Sequence, residues 1–246
     1  MSEHPRLIDV ETAELGRNIS TSQRLRPLIG KPAGSLVVHE IYRSLQGEST
    51  FVGLPCAFIR LTGCHLRCGY CDTTYAFTQG KTYTLDEIVE QVVALGDLLV
   101  EITGGEPLLQ VEVHPLMTRL ADLGRTVLLE TSGAKDISPV DPRVRIILDL
   151  KTPGSGEVEA NFYENLPLLK QKDELKFVIC DRRDFEWSIE QIRKYKLIGR
   201  CPILLSPAFG QVNPTDLAAW VLETTLPLRV QIQLHKLLWN PAARGV

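Results

Sequence analysis

The chain has 246 residues, and its 27 Lys and Arg against 30 Asp and Glu give a formal net charge of −3. That balance argues against a nucleic-acid binder, which would carry a strongly basic face. No apolar run approaches the roughly 18 residues of a membrane span, the N-terminal region lacks the apolar stretch of a secretion signal, and six cysteines in so long a chain are not a disulfide scaffold.

Residues 1–34 read as an N-terminal extension, either a partly ordered tail or a strap packed on the main domain. Apolar residues are sparse there, and Ser20, Ser22, Pro27, Gly30, Pro32 and Gly34 favour irregular backbone. Residues 35–246 read as the main domain. Leu36 to Tyr42 is β-rich and predicts a strand, followed by Leu45 and the loop Gln46-Gly47-Glu48. Pro55 to Leu61 predicts the next strand. Where it ends, Cys64, Cys68 and Cys71 fall within eight residues. Thr84-Leu-Asp-Glu87 is a capping box, and Ile88, Val92 and Leu95 continue it as one helical face. Leu98 to Ile102 is an apolar strand that runs into Thr103-Gly-Gly-Glu-Pro107. Pro115 opens a helix carrying Leu116, Leu120 and Leu123, with Gly124 as its stop.

Thr126 to Leu129 and Val144 to Leu148 are strands, ending at Glu130-Thr-Ser-Gly133 and Asp149-Leu-Lys151. The segment between them is short, so that crossover reads as reduced. Phe162 to Leu169 predicts a helix, interrupted by Pro167. Leu175 to Ile179 is a strand, Phe185 to Tyr195 a helix, and Pro202 to Leu205 a strand closed by Ser206-Pro-Ala-Phe209. Asn213 caps a helix whose first residue is Pro214 and which runs through Glu223. Leu228 to Ile232 is the last strand, ending at Gln233-Leu-His235.

Near-continuous apolar strands alternating with helices indicate an α/β fold with a parallel sheet covered on both faces. Six or seven such units predict an incomplete TIM-like β/α barrel; a doubly wound open sheet is the alternative. In a barrel the functional face lies at the C-terminal ends of the strands. The cysteine loop and the polar punctuation just described fall there.

Three clustered thiols carry a specific chemistry. A structural zinc site wants four closed ligands, and a cubane iron–sulfur cluster normally takes four thiolates. With three, one metal position stays open, which suits chemistry more than scaffolding. A zinc site completed by His65 or a distant Cys stays open as an alternative, although His65 directly follows Cys64 in the chain. Cys56, Cys180 and Cys201 stand singly in apolar runs and read as packing residues.

The Cys64-x-x-x-Cys68-x-x-Cys71 motif resembles that of the radical S-adenosylmethionine (SAM) enzymes. Leu45-Gln-Gly-Glu48, Arg60 and Cys71-Asp-Thr73 narrow the resemblance to the 7-carboxy-7-deazaguanine synthases of queuosine and 7-deazapurine biosynthesis. The resemblance implies a partial barrel with reduced helices and a [4Fe-4S] cluster on the three cysteines. It implies SAM at Gly105, Glu106, Glu130, Ser132, Asp149, Leu150, Lys151, Ser206, Pro207, Ala208 and Phe209. It implies Mg2+ at Thr73 and a pterin substrate at Leu45, Gln46, Gly47, Glu48, Arg60, Thr103 and His235.

The implied activity is that of a carbon–nitrogen lyase. A reduced cluster gives an electron to SAM, hydrogen leaves C6 of 6-carboxy-5,6,7,8-tetrahydropterin, and ring contraction with loss of ammonia yields 7-carboxy-7-deazaguanine. SAM is regenerated, and the protein binds and orients. The implied partners are an electron donor such as flavodoxin and a second copy of the chain, in the cytoplasm, with no nucleic acid or membrane. In some members of the family the chain end lies close to the substrate, which directs attention to Val246. Two alternatives stay open on the residues alone: another radical SAM enzyme such as a glycyl-radical activase, and a non-catalytic iron–sulfur or zinc protein.

Overall fold

The computed structural model describes residues 20–246, so the reading of the extension over residues 1–19 lies outside the described residues. Among the described residues nine strands form one sheet: β1 (Ser35–Leu45), β2 (Pro55–Leu61), β3 (Lys81–Thr84), β4 (Leu99–Gly104), β5 (Thr126–Thr131), β6 (Arg145–Asp149), β7 (Glu174–Ile179), β8 (Ile203–Pro207) and β9 (Leu228–Val230). Their order is β3-β1-β2-β4-β5-β6-β7-β8-β9. β3 goes to the far side of β1, whereas β4 to β9 add one after another on the other side of β2, and all six pairs from β2 to β9 are parallel. A doubly wound sheet would reverse its order at a switch point. The parallel run from β2 to β9 never does, which is the winding of a barrel, and the sheet stops short of closure with β3 and β9 at its ends.

The helices are α1 (Thr21–Arg24), α2 (Leu85–Leu95), α3 (Val113–Asp122), α4 (Arg182–Lys194), α5 (Pro214–Leu222) and α6 (His235–Leu238). The capping box at Thr84 is formed, with the Glu87 amide 3.2 Å from the Thr84 hydroxyl and the Thr84 amide 2.7 Å from the Glu87 carboxylate. Asn213 caps α5 ahead of Pro214 as the sequence predicts. The helix expected from Pro115 begins earlier, at Val113, and Pro115 occupies its first turn, where its missing N–H costs nothing.

The helix expected over Phe162 to Leu169 is a 3-10 segment, Tyr163–Leu168, because Pro167 within it cannot donate to an α-helical ladder. The β5–β6 and β6–β7 crossovers carry no α-helix, so the reduction expected of one crossover extends to two. Two more departures concern β1 and β3. Both are antiparallel to their neighbours, and β3 is a strand the sequence did not announce.

The main core lies between the strands and the covering helices, around Leu36, Ile59, Ile102, Leu129, Leu148 and Phe177. A smaller cluster of Cys56, Phe58, Leu99, Leu128 and Ile147 lies on the alternate strand positions, with Tyr42 and Phe51 against it. It forms the apolar floor of the barrel interior. Above that floor the same interior positions turn polar: Arg60, Glu101, Thr103, Glu130, Asp149 and Lys176.

Candidate active site

The cysteine loop starts at the C-terminal end of β2. Cys64 is buried, Cys68 and Cys71 are half-buried, and all three thiols are free. The loop is anchored on both sides. Arg67, itself buried, donates to the carbonyls of Cys64 (2.8 Å) and Leu66 (2.6 Å) and lies 4.0 Å over the Phe77 ring. Gly69 donates its amide to Ser155 O at 2.9 Å. The described part of the extension packs here too: Arg24 donates to the His65 carbonyl at 2.7 Å, and Leu28 covers Gly63.

Among the described residues no set of three His, Cys, Asp or Glu side chains is already gathered around a metal position. The three thiols are therefore donors carried on one loop and not a closed cage. Their chemistry fits an iron–sulfur cluster with one open iron: three soft ligands on one loop. Burial pushes the Cys64 and Cys71 thiols up to about 12, so the free loop holds neutral thiols and metal binding must release protons.

The Gly104-Gly105 pair lies against this loop. A β-carbon on Gly105 would sit 2.1 Å from the Gly63 carbonyl oxygen, and one on Gly104 would sit 2.2 Å from that of Leu61. Side-chain-free residues are thus required by protein backbone as well as by any ligand. The amides of Gly105 and Glu106 donate to Leu61 O (3.0 Å) and Gly63 O (2.8 Å), which fastens the end of β4 to the start of the cysteine loop. Glu106 is fully buried. Its carboxylate accepts from the amides of Leu108 (3.0 Å) and Ser132 (2.8 Å) and from the hydroxyls of Thr131 (2.9 Å) and Ser132 (2.5 Å).

Asp149, Leu150 and Lys151 are buried at the end of β6, and Lys151 donates to Asp149 Oδ2 at 2.8 Å. Asp149 Oδ1 is buried with no protein partner, as is the hydroxyl of Tyr70 within the cysteine loop. An orphaned buried acceptor is what a site for a polar cofactor such as SAM leaves behind. Ser206, Pro207 and Ala208 are buried at the end of β8, while Phe209 is exposed under the Lys236 ammonium at 4.6 Å.

The residues expected to meet substrate converge, although one segment arrives from an unexpected side. Because β1 is antiparallel, Leu45 pairs with Pro55, the first residue of β2, at the rim opposite the cysteine loop. From there the 46–54 loop crosses the interior. Ser49 donates its amide to Gln231, Thr50 binds Glu174, and Leu234 donates to Gly47 O. Gly47 is buried against the His235 ring, whose Nδ1 would be 2.4 Å from a β-carbon there. The buried Gln46 bridges the Glu48 amide and the Glu101 carboxyl.

Arg60 and Thr103 are paired neighbours on β2 and β4. Arg60 donates to Glu40 (2.7 Å) and to the Tyr42 hydroxyl (2.8 Å), with the Tyr42 and Tyr75 rings within 5.9 Å. The chain end returns to this corner, where Arg244 lies 4.2 Å over the Tyr75 ring. Thr73 donates to Asp72 Oδ1 at 2.8 Å, and Lys236 donates to Asp72 Oδ2 at 2.6 Å. The Thr73 proton points to Asp72, which leaves the oxygen lone pairs for a cation.

Of the two residues expected at SAM after β5, the Glu130 carboxylate accepts from Thr103 (3.1 Å) and Lys176 (2.5 Å), whereas Ser132 turns to Glu106. Glu101 and Lys176 were not singled out in the sequence. Their signal was a single charge inside each of two apolar strands, at Leu98–Ile102 and Leu175–Ile179.

Comparison with known proteins places the chain in a family. The radical SAM superfamily model matches residues 58–203, more than half the chain. A 7-carboxy-7-deazaguanine synthase of Chlorobaculum tepidum is 47% identical over 214 residues, 86% of this chain and 97% of its own. One of Koribacter versatilis is 46% identical over 224 residues, 85% of this chain and 99% of its own. In fold, the chain resembles the crystal structure of QueE from Escherichia coli, with a TM-score of 0.66 at 23% identity, over 85% of this chain and 99% of that one. These likenesses extend over almost the full length of each relative, and the chain belongs to the 7-carboxy-7-deazaguanine synthase family of the radical SAM superfamily.

Proposed function

We propose that the chain converts 6-carboxy-5,6,7,8-tetrahydropterin to 7-carboxy-7-deazaguanine with loss of ammonia. Family membership supports the reaction, and one observation carries the substrate: Arg60, held between Glu40 and Tyr42 on the strand that leads into the cysteine loop. A guanidinium so fixed suits the substrate carboxylate. Cys64, Cys68 and Cys71 would hold the cluster. The segments at Gly105–Glu106, Ser132, Asp149–Lys151 and Ser206–Phe209 would hold SAM. When bound, the cluster and SAM supply one-electron chemistry, while the chain's own residues bind, orient and exclude water.

Thr73 is proposed to meet Mg2+ through its free lone pairs, with water and the substrate completing a coordination that one neutral hydroxyl cannot. Gln46, Glu48, Thr103, Glu130 and His235 would line the pterin. Residues 35–246 act in this reading as one catalytic domain, with 1–34 as an extension to it. An external donor such as flavodoxin supplies the electron and a second copy of the chain is the proposed partner; free thiols support a reducing, cytoplasmic setting.

An anaerobic assay with SAM, dithionite and the carboxypterin tests this. The product is expected by mass spectrometry. Arg60→Ala should lower carboxypterin turnover by at least about tenfold and leave uncoupled SAM cleavage measurable. Equal loss of both activities would remove Arg60 from the substrate site.

A further inference from the structure

Four ionisable side chains meet above the apolar floor of the barrel. Lys176, 5% exposed, donates to Glu48 Oε2 at 2.8 Å and to Glu130 Oε1 at 2.5 Å. Glu48 comes from the 46–54 loop and Glu130 from the end of β5, so one ammonium joins two segments that no backbone hydrogen bond connects. Each carboxylate has further support. Gln233 donates to Glu48 Oε1 at 2.8 Å, Gln231 approaches Glu48 Oε2 at 3.3 Å, and Thr103 donates to Glu130 Oε2 at 3.1 Å. Glu101 completes the group. It is buried and takes the Gln46 amide, whose oxygen in turn accepts from the Glu48 amide.

One ammonium faces three carboxyl groups, Glu101 buried and Glu48 and Glu130 half-buried, and they do not respond alike. Burial, with Glu130 and Glu48 nearby, pushes Glu101 well above the usual carboxylate range, against the pull of Lys176 and Arg60. Burial also opposes ionisation of Glu130, but Lys176 overrides it and brings that carboxyl down to about 2. Burial works against the Lys176 charge, and Glu130, Glu48 and Asp149 more than restore it. The outcome is one ammonium held between two carboxyl groups. Two fixed carboxylates of this kind match the N–H donors along the edge of a pterin ring.

We propose that Lys176 is a positioning residue, which holds the Glu48 and Glu130 carboxylates in one fixed arrangement for the pterin. It acts through these two side chains and needs no contact with substrate. This rests on the carboxypterin reading above.

The test compares the full-length, cluster-reconstituted wild type with Lys176→Met and Lys176→Arg under anaerobic conditions. Lys176→Met removes the charge at similar length. It should raise the KM for the carboxypterin by about tenfold or more and leave uncoupled SAM cleavage measurable. Without the cation the Glu130 carboxylate takes up a proton more readily, so the acid limb of kcat/KM should move to higher pH. Lys176→Arg should restore most of the affinity. A lower thermal midpoint with both activities cut together and an unmoved acid limb would mean a merely structural lysine and overturn the proposal. Should Lys176→Met fail to fold, Lys176→Gln, which can still donate to one carboxylate, carries the same KM and pH tests. Wild-type turnover of the carboxypterin tests the underlying reading on its own. If the wild type fails it, a crystal structure of Lys176→Met still decides: Glu48 and Glu130 drawn apart supports the proposal, and unmoved carboxylates overturn it.

Discussion

A methyl group on Gly105 would sit 2.1 Å from the Gly63 carbonyl oxygen and 2.9 Å from the Cys64 β-carbon. Both contacts are with the cysteine loop, and neither neighbour is a flexible side-chain tip that could swing away. Gly105→Ala should therefore lower stability by about 1–3 kcal/mol and displace the loop that carries Cys64. Urea unfolding checks the first effect and iron content after reconstitution the second; an unchanged midpoint would refute the close packing. At this scale the sequence was informative where function sits in a short run of residues. Cys64, Cys68, Cys71 and the Gly104-Gly105 pair were all legible, because their spacing along the chain carries the meaning. Lys176 and Glu101 were not, because their partners Glu48, Glu130 and Gln46 lie on other elements. A lone lysine in Leu-Lys-Phe-Val-Ile reads as a strand with one outward residue until the topology turns it inward.

Thr84 serves two elements, as the last residue of β3 and the cap of α2. Thr84→Ala removes the hydroxyl that accepts from the Glu87 amide, and the urea midpoint should fall by an amount equivalent to about 1 kcal/mol with an unchanged slope. A midpoint within error of wild type would show that β3 pairing alone sets the helix start. Elements with local signals, such as this capping box and Asn213-Pro214, were readable because cap and helix lie within four residues of each other. The strand β3 was not. It is four residues long, mostly exposed, and exists only through its pairing with Ser35–Val38 far earlier in the chain. The direction of β1 was hidden for the same reason: a strand's composition is the same whichever way its neighbour runs. Its reversal is what sends Gln46 and Glu48 into the interior from the opposite rim.

As a whole the sheet winds in one sense and stops before closing. Six parallel pairings and a polar interior make the site, and the 46–54 loop, by reaching Glu174 on β7 and Gln231 after β9, ties the two halves of the open wall together. A barrel that does not close keeps two edges, and an unpaired edge is a template for another chain. Both are guarded here. The edge strand β3 has four residues and begins with Lys81; β9 has three and carries the exposed Arg229 at its centre. Short, charged edges resist strand-to-strand addition, so the opening that admits a loop from the far rim is tolerated without inviting aggregation. Replacing Lys81 and Arg229 together by valine should leave activity per soluble molecule unchanged and raise concentration-dependent self-association in light scattering. If the double variant stays as monodisperse as the parent, edge protection must come from strand length alone, and incompleteness of the barrel would carry a smaller colloidal risk than its two free edges imply.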